Sequence, residues 1–335
     1  MKIMFTALLS IMSLTAMESG EITPHKYDDS GPKPYEIPKS SRFTTSRLQD
    51  DAPDIVYYLS KPKNDTYPIA ILCGGSTSKN DISSIIHLHR YLLEEFQNLG
   101  SGVLTVDQWG VDGNTVNTDE FMKHYTRTQR LEDHRRVIET LKKNPPVGWN
   151  GKIILFGASE GGLLVTTLTI DFPEEVIATI NWSGAGDWSW QEELWVFVEK
   201  LLLDNPDCPD HKLKLKDCLC MEDVATRKRY DAKMDEILKD PTASKEFLGM
   251  TYQYHADAQT FPDADYSKMK FPFLAVSGVL DSFIDSSDAF VEKARTAGAN
   301  VTYHRINNMG HIVRKNPKAV EQTFTWLAEQ LRARR

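Results

Sequence analysis

Cysteine is scarce in this chain. Cys73, Cys208, Cys218 and Cys220 are the only four in 335 residues, too few for a scaffold stapled by disulfides. Metal-binding spacing is missing as well. Cys218-Leu219-Cys220 is not a zinc-knuckle spacing and His211 is the one imidazole near it, so no metal site is expected. There is no Lys/Arg block, and the formal net charge is −8. Both argue against a nucleic-acid partner. Beyond the N-terminus, no apolar run is long enough to span a bilayer. Repeats with a period of 20–50 residues and low-complexity tracts are also absent, which excludes solenoids and propellers.

The chain is rich in aromatic residues. Seven Trp and fourteen Phe are more than a disordered chain carries. The length accommodates one large domain with an insertion, or two small domains. Met1-Lys2 leads into an apolar run over residues 3–16 that closes on Thr15-Ala16. One positive charge, a short apolar stretch and small residues make the pattern of a secretory signal, expected over residues 1–19. The mature protein is then expected outside the cytoplasm, secreted or in the periplasm or cell envelope. Residues 20–52 carry Pro24, Pro32, Pro34 and Pro38 and read as an extended arm. In an exported chain Cys208 has two disulfide partners available, Cys218 and Cys220.

From residue 53 onward, strand-like runs alternate with helical periodicity. Strands are expected at 55–59, 69–73, 102–107, 152–157, 176–182, 271–278 and 301–306. Helices are expected near 82–98, 129–143, 287–298 and 315–333, with one more directly after Ser159. Such alternation implies an α/β fold, with a mostly parallel sheet and helices on both faces, formed by residues 53–187 and 266–335. Residues 188–265 break the alternation and read as a helical cap insertion. Placed beyond the C-terminal strand ends, it would sit over the crevice where such sheets bind ligands. Trp188, Trp190 and Trp195 of this insertion, and Trp109 in the loop after the strand at 102–107, are candidates to line a substrate pocket. Packing of the insertion onto the sheet domain competes for the same side chains.

The centre of the chain is Gly157-Ala158-Ser159-Glu160-Gly161-Gly162, between a strand and a helix. A sharp turn there would expose the Ser159 hydroxyl at the sheet's edge, with a helix N-terminus behind it. The Glu160 N–H would be free to stabilise a developing oxyanion, and Gly74-Gly75-Ser76, after the strand ending at Cys73, would supply a second donor. Gly75 is the first choice there and Ser76 the second. A serine hydroxyl needs a base to be nucleophilic, and the base needs a partner to orient it. His311, in Asn307-Asn308-Met309-Gly310-His311, follows the last strand and is the candidate base. Asp281, in Gly278-Val279-Leu280-Asp281, follows the strand before it and is the candidate acid. Asp285 is the runner-up, and Asp288 is expected to cap the next helix.

These residues resemble those of the α/β-hydrolase superfamily. Gly157-Ala158-Ser159-Glu160-Gly161 resembles its nucleophile elbow. Cys73-Gly74-Gly75-Ser76 is similar to its His-Gly-Gly loop, with Cys73 where histidine is usual. Asp107-Gln108-Trp109-Gly110 is similar to its Asp-x-Arg-Gly loop, with Trp109 in place of arginine. The resemblance implies an eight-stranded sheet, a serine triad and no metal or organic cofactor. It does not fix the substrate; the reading taken here is a serine hydrolase acting on carboxylic esters, with a small-molecule or peptide acyl substrate. Gly162 extends the resemblance to prolyl-oligopeptidase-like peptidases and acyl thioesterases. A binding protein that keeps the fold without catalysis is the alternative of a different class.

Overall fold

Runs such as Ile69-Ala70-Ile71-Leu72-Cys73 carry apolar side chains at consecutive positions, so a strand built from them must be covered on both faces. The computed structural model describes residues 40–333 except 80, 83–84, 185, 204–223 and 225. In it these runs form one sheet of eight strands: β1 (Ser41–Thr45), β2 (Ile55–Ser60), β3 (Tyr67–Cys73), β4 (Gly102–Val106), β5 (Trp149–Ala158), β6 (Val176–Trp182), β7 (Phe273–Gly278) and β8 (Val301–Ile306). The spatial order is β1-β2-β4-β3-β5-β6-β7-β8. Pairing is parallel from β4 to β8 and antiparallel on both sides of β2.

The described helices are α1 (Ile86–Asn98), α2 (Thr118–His124), α3 (Arg127–Lys143), α4 (Gly161–Asp171), α5 (Trp190–Leu203), α6 (Arg227–Lys239), α7 (Tyr252–Thr260), α8 (Ile284–Thr296) and α9 (Pro317–Arg332). The period-two alternation of the strands decides which helix meets which face. Ala70 and Leu72 point into a cluster with Leu88, Leu92 and Phe96 of α1 and Phe324 and Leu327 of α9. Ile69 and Ile71 point the other way, onto Leu131 and Ile138 of α3 and Leu164 and Leu168 of α4. On that second face, α8 covers the far end of the sheet through Phe290 and Val291 against Phe273 and Ala275. Each large apolar side chain fully withdrawn from water in these layers contributes about 1.5–3 kcal/mol.

Strand β1 lies within the segment read from sequence as an extended arm. Four of its five residues are exposed and Phe43 is its one apolar side chain, so it lacks the apolar pattern that marks a strand. It is held by its backbone ladder to β2, by Phe43 stacked on Tyr57 at 5.4 Å, and by Arg42 bonded through Nε and Nη2 to Asp112 at 2.9 and 2.7 Å. The signal-like run at 1–19, residues 20–39 of the arm, and Cys208, Cys218 and Cys220 lie outside the described residues. Among the described residues, no helix is long and apolar enough to cross a membrane.

Between β6 and β7 the chain leaves the sheet to form α5, α6, α7 and a small hairpin of Glu246–Phe247 with Met250–Thr251. This insertion has its own apolar cluster, with Leu194, Val198, Tyr230, Met234, Ile237 and Phe247 at its centre. A second seam joins Tyr254 and Ala258 of α7 to Phe121, Met122 and Tyr125 of the sheet domain.

Candidate active site

The parallel strands all end at one edge of the sheet, so the loops after β3, β5, β7 and β8 gather there. Ser159 stands in the turn between β5 and α4 with φ of 53°. That left-handed backbone stores about 1–3 kcal/mol in a non-glycine residue. The turn is held by Ser159 N–H donating to Trp182 O at 2.9 Å and Gly162 N–H donating to Ser159 O at 2.8 Å. Gly161 is required by closeness: a Cβ there would run into the Cys73 carbonyl of the neighbouring strand.

The loops after β7 and β8 are tied together. Val279 N–H donates to Ile306 O and Leu280 N–H to Met309 O, each at 2.9 Å. This brings Asp281 and His311 to the same point as Ser159. His311 Nδ1 lies 2.9 Å from Asp281 Oδ2, and His311 Nε2 lies 2.9 Å from Ser159 Oγ. An ionised carboxylate only accepts, so Nδ1 carries the proton and donates, which leaves the Nε2 lone pair facing the serine hydroxyl. Asp281 Oδ1 also accepts from Phe283 N–H at 3.1 Å. Burial acts to raise the Asp281 carboxyl, but the His311 charge and the hydrogen bonds outweigh it and hold it below its ordinary value. Burial acts to lower His311, yet the Asp281 carboxylate prevails and raises it above its ordinary value.

The other acids fall elsewhere. Asp285 is exposed in the first turn of α8. Asp288 does not cap that helix as expected. It lies within α8, where it accepts from Tyr303 Oη at 2.7 Å and pairs with Arg305, because the helix begins at Ile284 and runs past it. Two other histidines serve packing. His89 is buried between Ser60 and Thr105, and His134 donates through Nδ1–H to Arg130 O at 2.7 Å; burial pushes each down to about 4. Cys73 is buried in the core, and burial pushes its thiol up to about 12.

Gly75 lies directly against the serine. A Cβ at that position would stand 3.0 Å from Ser159 Cβ and 3.5 Å from its Oγ. Gly74 and Ser76 flank it in the same loop, and Glu160 is the N-cap residue of α4. The backbone N–H groups of Glu160 and Gly75 thus belong to two separate loops that meet at Ser159.

The side chain of Glu160 has a role that the sequence reading missed. It turns away from the serine into a buried cluster with Arg127 and Arg130 of α3 and Tyr254 of α7. Burial acts to raise this carboxyl, and the two guanidinium charges overcome it, so that it lies below its ordinary value. A second missed acid, Glu193 of α5, is buried on the same side. It accepts from Ser286 Oγ at 2.9 Å and Gly186 N–H at 3.2 Å, and burial raises its carboxyl. In sequence, Arg127 and Arg130 look like two more charges on an amphipathic helix, and Tyr254 and Glu193 lie in a segment with no partner visible. Nothing local marks them.

The four tryptophans separate. Trp109 is buried beneath the Arg47 guanidinium at 4.1 Å and stacks on His124 at 3.9 Å. Trp190 lies against Arg127 at 4.5 Å and donates through Nε1 to His255 Nδ1 at 3.1 Å. Trp195 packs on Tyr230 at 5.2 Å. Trp109 is buried, whereas Trp190 and Trp195 are partly buried against the apolar clusters of the insertion and its seam. Trp188 is exposed, and it borders an open depression of about 580 Å³ shared with Asp187, Ser189, Glu192, Ala289 and Lys293.

A family profile described as serine aminopeptidase, S33, matches residues 85–317, well over half of the chain. Among solved structures, the chain is similar to brefeldin A esterase, a bacterial homologue of human hormone-sensitive lipase. That match has 16% identity and a TM-score of 0.54, and covers 97% of this chain and 84% of that one. It is likewise similar to a hyperthermophilic esterase from the archaeon Pyrobaculum calidifontis, with 14% identity, a TM-score of 0.55, and coverage of 98% and 91%. A third match is a putative dipeptidyl aminopeptidase IV from Bacteroides ovatus, with 14% identity and a TM-score of 0.54. It covers 88% of this chain but 36% of that one. At these identities the likeness concerns the fold. No curated protein matches the chain.

Proposed function

The chain belongs to the serine aminopeptidase S33 family of the α/β-hydrolase superfamily, and from that premise we propose that it is a serine hydrolase cleaving carboxylic esters through an acyl-enzyme. One observation carries the reading: His311 bridges Ser159 and Asp281 with contacts of 2.9 Å on each side. In this reading Ser159 Oγ attacks the carbonyl carbon while His311 Nε2 takes its proton. Asp281 holds the imidazole in the reactive tautomer and stabilises the imidazolium. The N–H groups of Glu160 and Gly75, with Ser76 as the alternative to Gly75, hold the oxyanion. His311 then returns the proton to the leaving alcohol, and water, deprotonated by the same imidazole, releases the acid.

The helical insertion, residues 188–265, serves in this reading as a cap over the strand ends, with Trp188 at an open face. Peptide-bond cleavage is the second reading, favoured by the description of the matching family. Acyl thioesters are the third class to test.

Intact-mass analysis after treatment with a fluorophosphonate is the test, on wild type and Ser159→Ala. One adduct on wild type and none on the variant is expected. Folded wild type that takes no adduct overturns the proposal. A panel of p-nitrophenyl esters, acyl thioesters and aminoacyl p-nitroanilides then assigns the bond. Turnover of anilides with no turnover of esters would replace the esterase reading with the peptidase one.

A further inference from the structure

The cluster around Glu160 joins four parts of the chain that the triad alone does not connect. The first is the turn of the nucleophile, since Glu160 follows Ser159 directly. Its Oε2 accepts from Arg127 Nε at 3.0 Å and from the Tyr254 hydroxyl, and its Oε1 accepts from Arg130 Nη1. The second is the loop after β3. Arg130 Nη2 donates to Gly74 O at 2.6 Å, and Thr77 N–H donates to Tyr125 Oη at 2.9 Å. Gly75 and Ser76 therefore lie between two anchored residues. The third is α3, which supplies both arginines. The fourth is the insertion, which gives Tyr254, accepts from Arg127 Nη1 at Ala258 O at 3.2 Å, and lays Trp190 against the Arg127 guanidinium. Tyr254 is further held by a parallel stack on Tyr125, with centroids 5.1 Å apart and planes 3° from parallel.

Fold stability is a poor account of such a cluster. Taking three charges out of water costs about as much as their mutual attraction returns, so apolar packing of the same volume would serve as well. What a dry, charge-assisted network supplies is restraint of direction and distance. Here the restrained objects are the two loops that carry the oxyanion donors. The side chains of Arg127, Arg130 and Glu160 are 4%, 4% and 3% exposed, so water does not loosen the restraint.

We propose that Glu160, Arg127 and Arg130 are positioning residues that set the separation of the Glu160 and Gly75 oxyanion donors. The insertion, through Tyr254, is the fourth member of the device. Turnover then depends on the insertion being seated, and not merely on the triad being present. This inference rests on the serine-hydrolase reading, and its test is chosen so that the two fail differently.

Removing a whole oxyanion donor costs about 10²–10³ in kcat. Displacing one costs part of that. Glu160→Gln is expected to lower kcat roughly 100-fold, and Tyr254→Phe, which deletes one hydroxyl at the far end of the network, roughly 10-fold. Each variant is measured on p-nitrophenyl butyrate, with active sites counted by fluorophosphonate labelling. The inhibition constant of a trifluoromethyl ketone, which forms a tetrahedral oxyanion on the serine, is measured alongside. The expected result for Tyr254→Phe is a lower kcat per labelled site, KM within about twofold, and a trifluoromethyl ketone constant weakened by the same factor as kcat. If Glu160→Gln does not fold, Tyr254→Phe alone decides. Variants that lose thermal stability or labelled fraction, but keep wild-type kcat per labelled site and wild-type ketone affinity, would show a structural role only and overturn the proposal. A wild-type protein that takes no label and turns over no ester would instead remove the hydrolase reading, and this inference with it.

Discussion

Asp281→Asn changes one atom and tests the direction of a proton. Both carboxylate oxygens of Asp281 are committed, Oδ2 to His311 Nδ1 and Oδ1 to the Phe283 N–H. Asparagine in the same place keeps its carbonyl oxygen on the Phe283 N–H and so turns its NH₂ toward His311. An NH₂ cannot accept from Nδ1–H. The imidazole therefore moves its proton to Nε2, and the lone pair that faced Ser159 is lost. The equivalent change in the serine-protease triad costs about 10⁴, or about 5.5 kcal/mol at 1.36 kcal/mol per decade, and a loss of that order in kcat/KM is expected. The assay is p-nitrophenyl butyrate hydrolysis across pH 5–9, normalised to labelled sites. In wild type the Asp281 carboxylate raises His311 above its ordinary value. The inactive imidazolium then persists above about pH 6.5, and kcat/KM rises with pH through that higher ionisation. In Asp281→Asn the burial that lowers the histidine is opposed only by the Glu193 charge, so the residual activity should rise at lower pH than in wild type. Activity within tenfold of wild type, or a limb that does not move, refutes the argument. If Asp285→Asn were the damaging change instead, the acid role would pass to a residue that the structure leaves exposed.

Two further outcomes are expected. Ser159→Gly removes the proposed nucleophile and the cost of φ at 53° together, so it should abolish turnover yet be about 1 kcal/mol more stable than Ser159→Ala in urea unfolding. Equal stability of the two variants would mean that the turn is not strained. Gly161→Ala places a methyl group against the Cys73 carbonyl of the adjacent strand. A loss of about 3 kcal/mol or more is expected by the same measurement, and a loss below 1 kcal/mol would contradict the close approach.

Much of the fold could be read in the sequence because its signals are local. Consecutive apolar residues in 69–73 or 176–182 leave no choice but a strand covered on both faces, and their alternation with helical periodicity leaves little choice but parallel order. Strand β1 was not legible, because an exposed edge strand is specified by its neighbour's backbone and carries almost no apolar pattern of its own. The same division runs through the site. Ser159, Asp281 and His311 each stand at the end of a recognisable strand, so their chain order and turn residues were enough to nominate them as candidates. Only the fold brings His311 within 2.9 Å of both partners, and only the fold separates Asp281 from Asp285, four residues away on the turn of a helix.

The tryptophans mark the limit most clearly. Their apolar bulk is written in the sequence, but whether a face meets substrate space, an arginine or another ring depends on residues far away along the chain. So does the Glu160 cluster. Arg127 and Arg130 lie about thirty positions before Glu160 and Tyr254 lies ninety-four after it, and no local periodicity records a meeting of that kind. The sequence by itself determined the elements, their alternation and the chemical types at the strand ends, because those follow from hydrophobic patterning and turn sterics within a few residues. Tertiary structure alone decided which polar groups were withdrawn from water together, because burying a charge becomes tolerable only where a distant partner arrives to meet it.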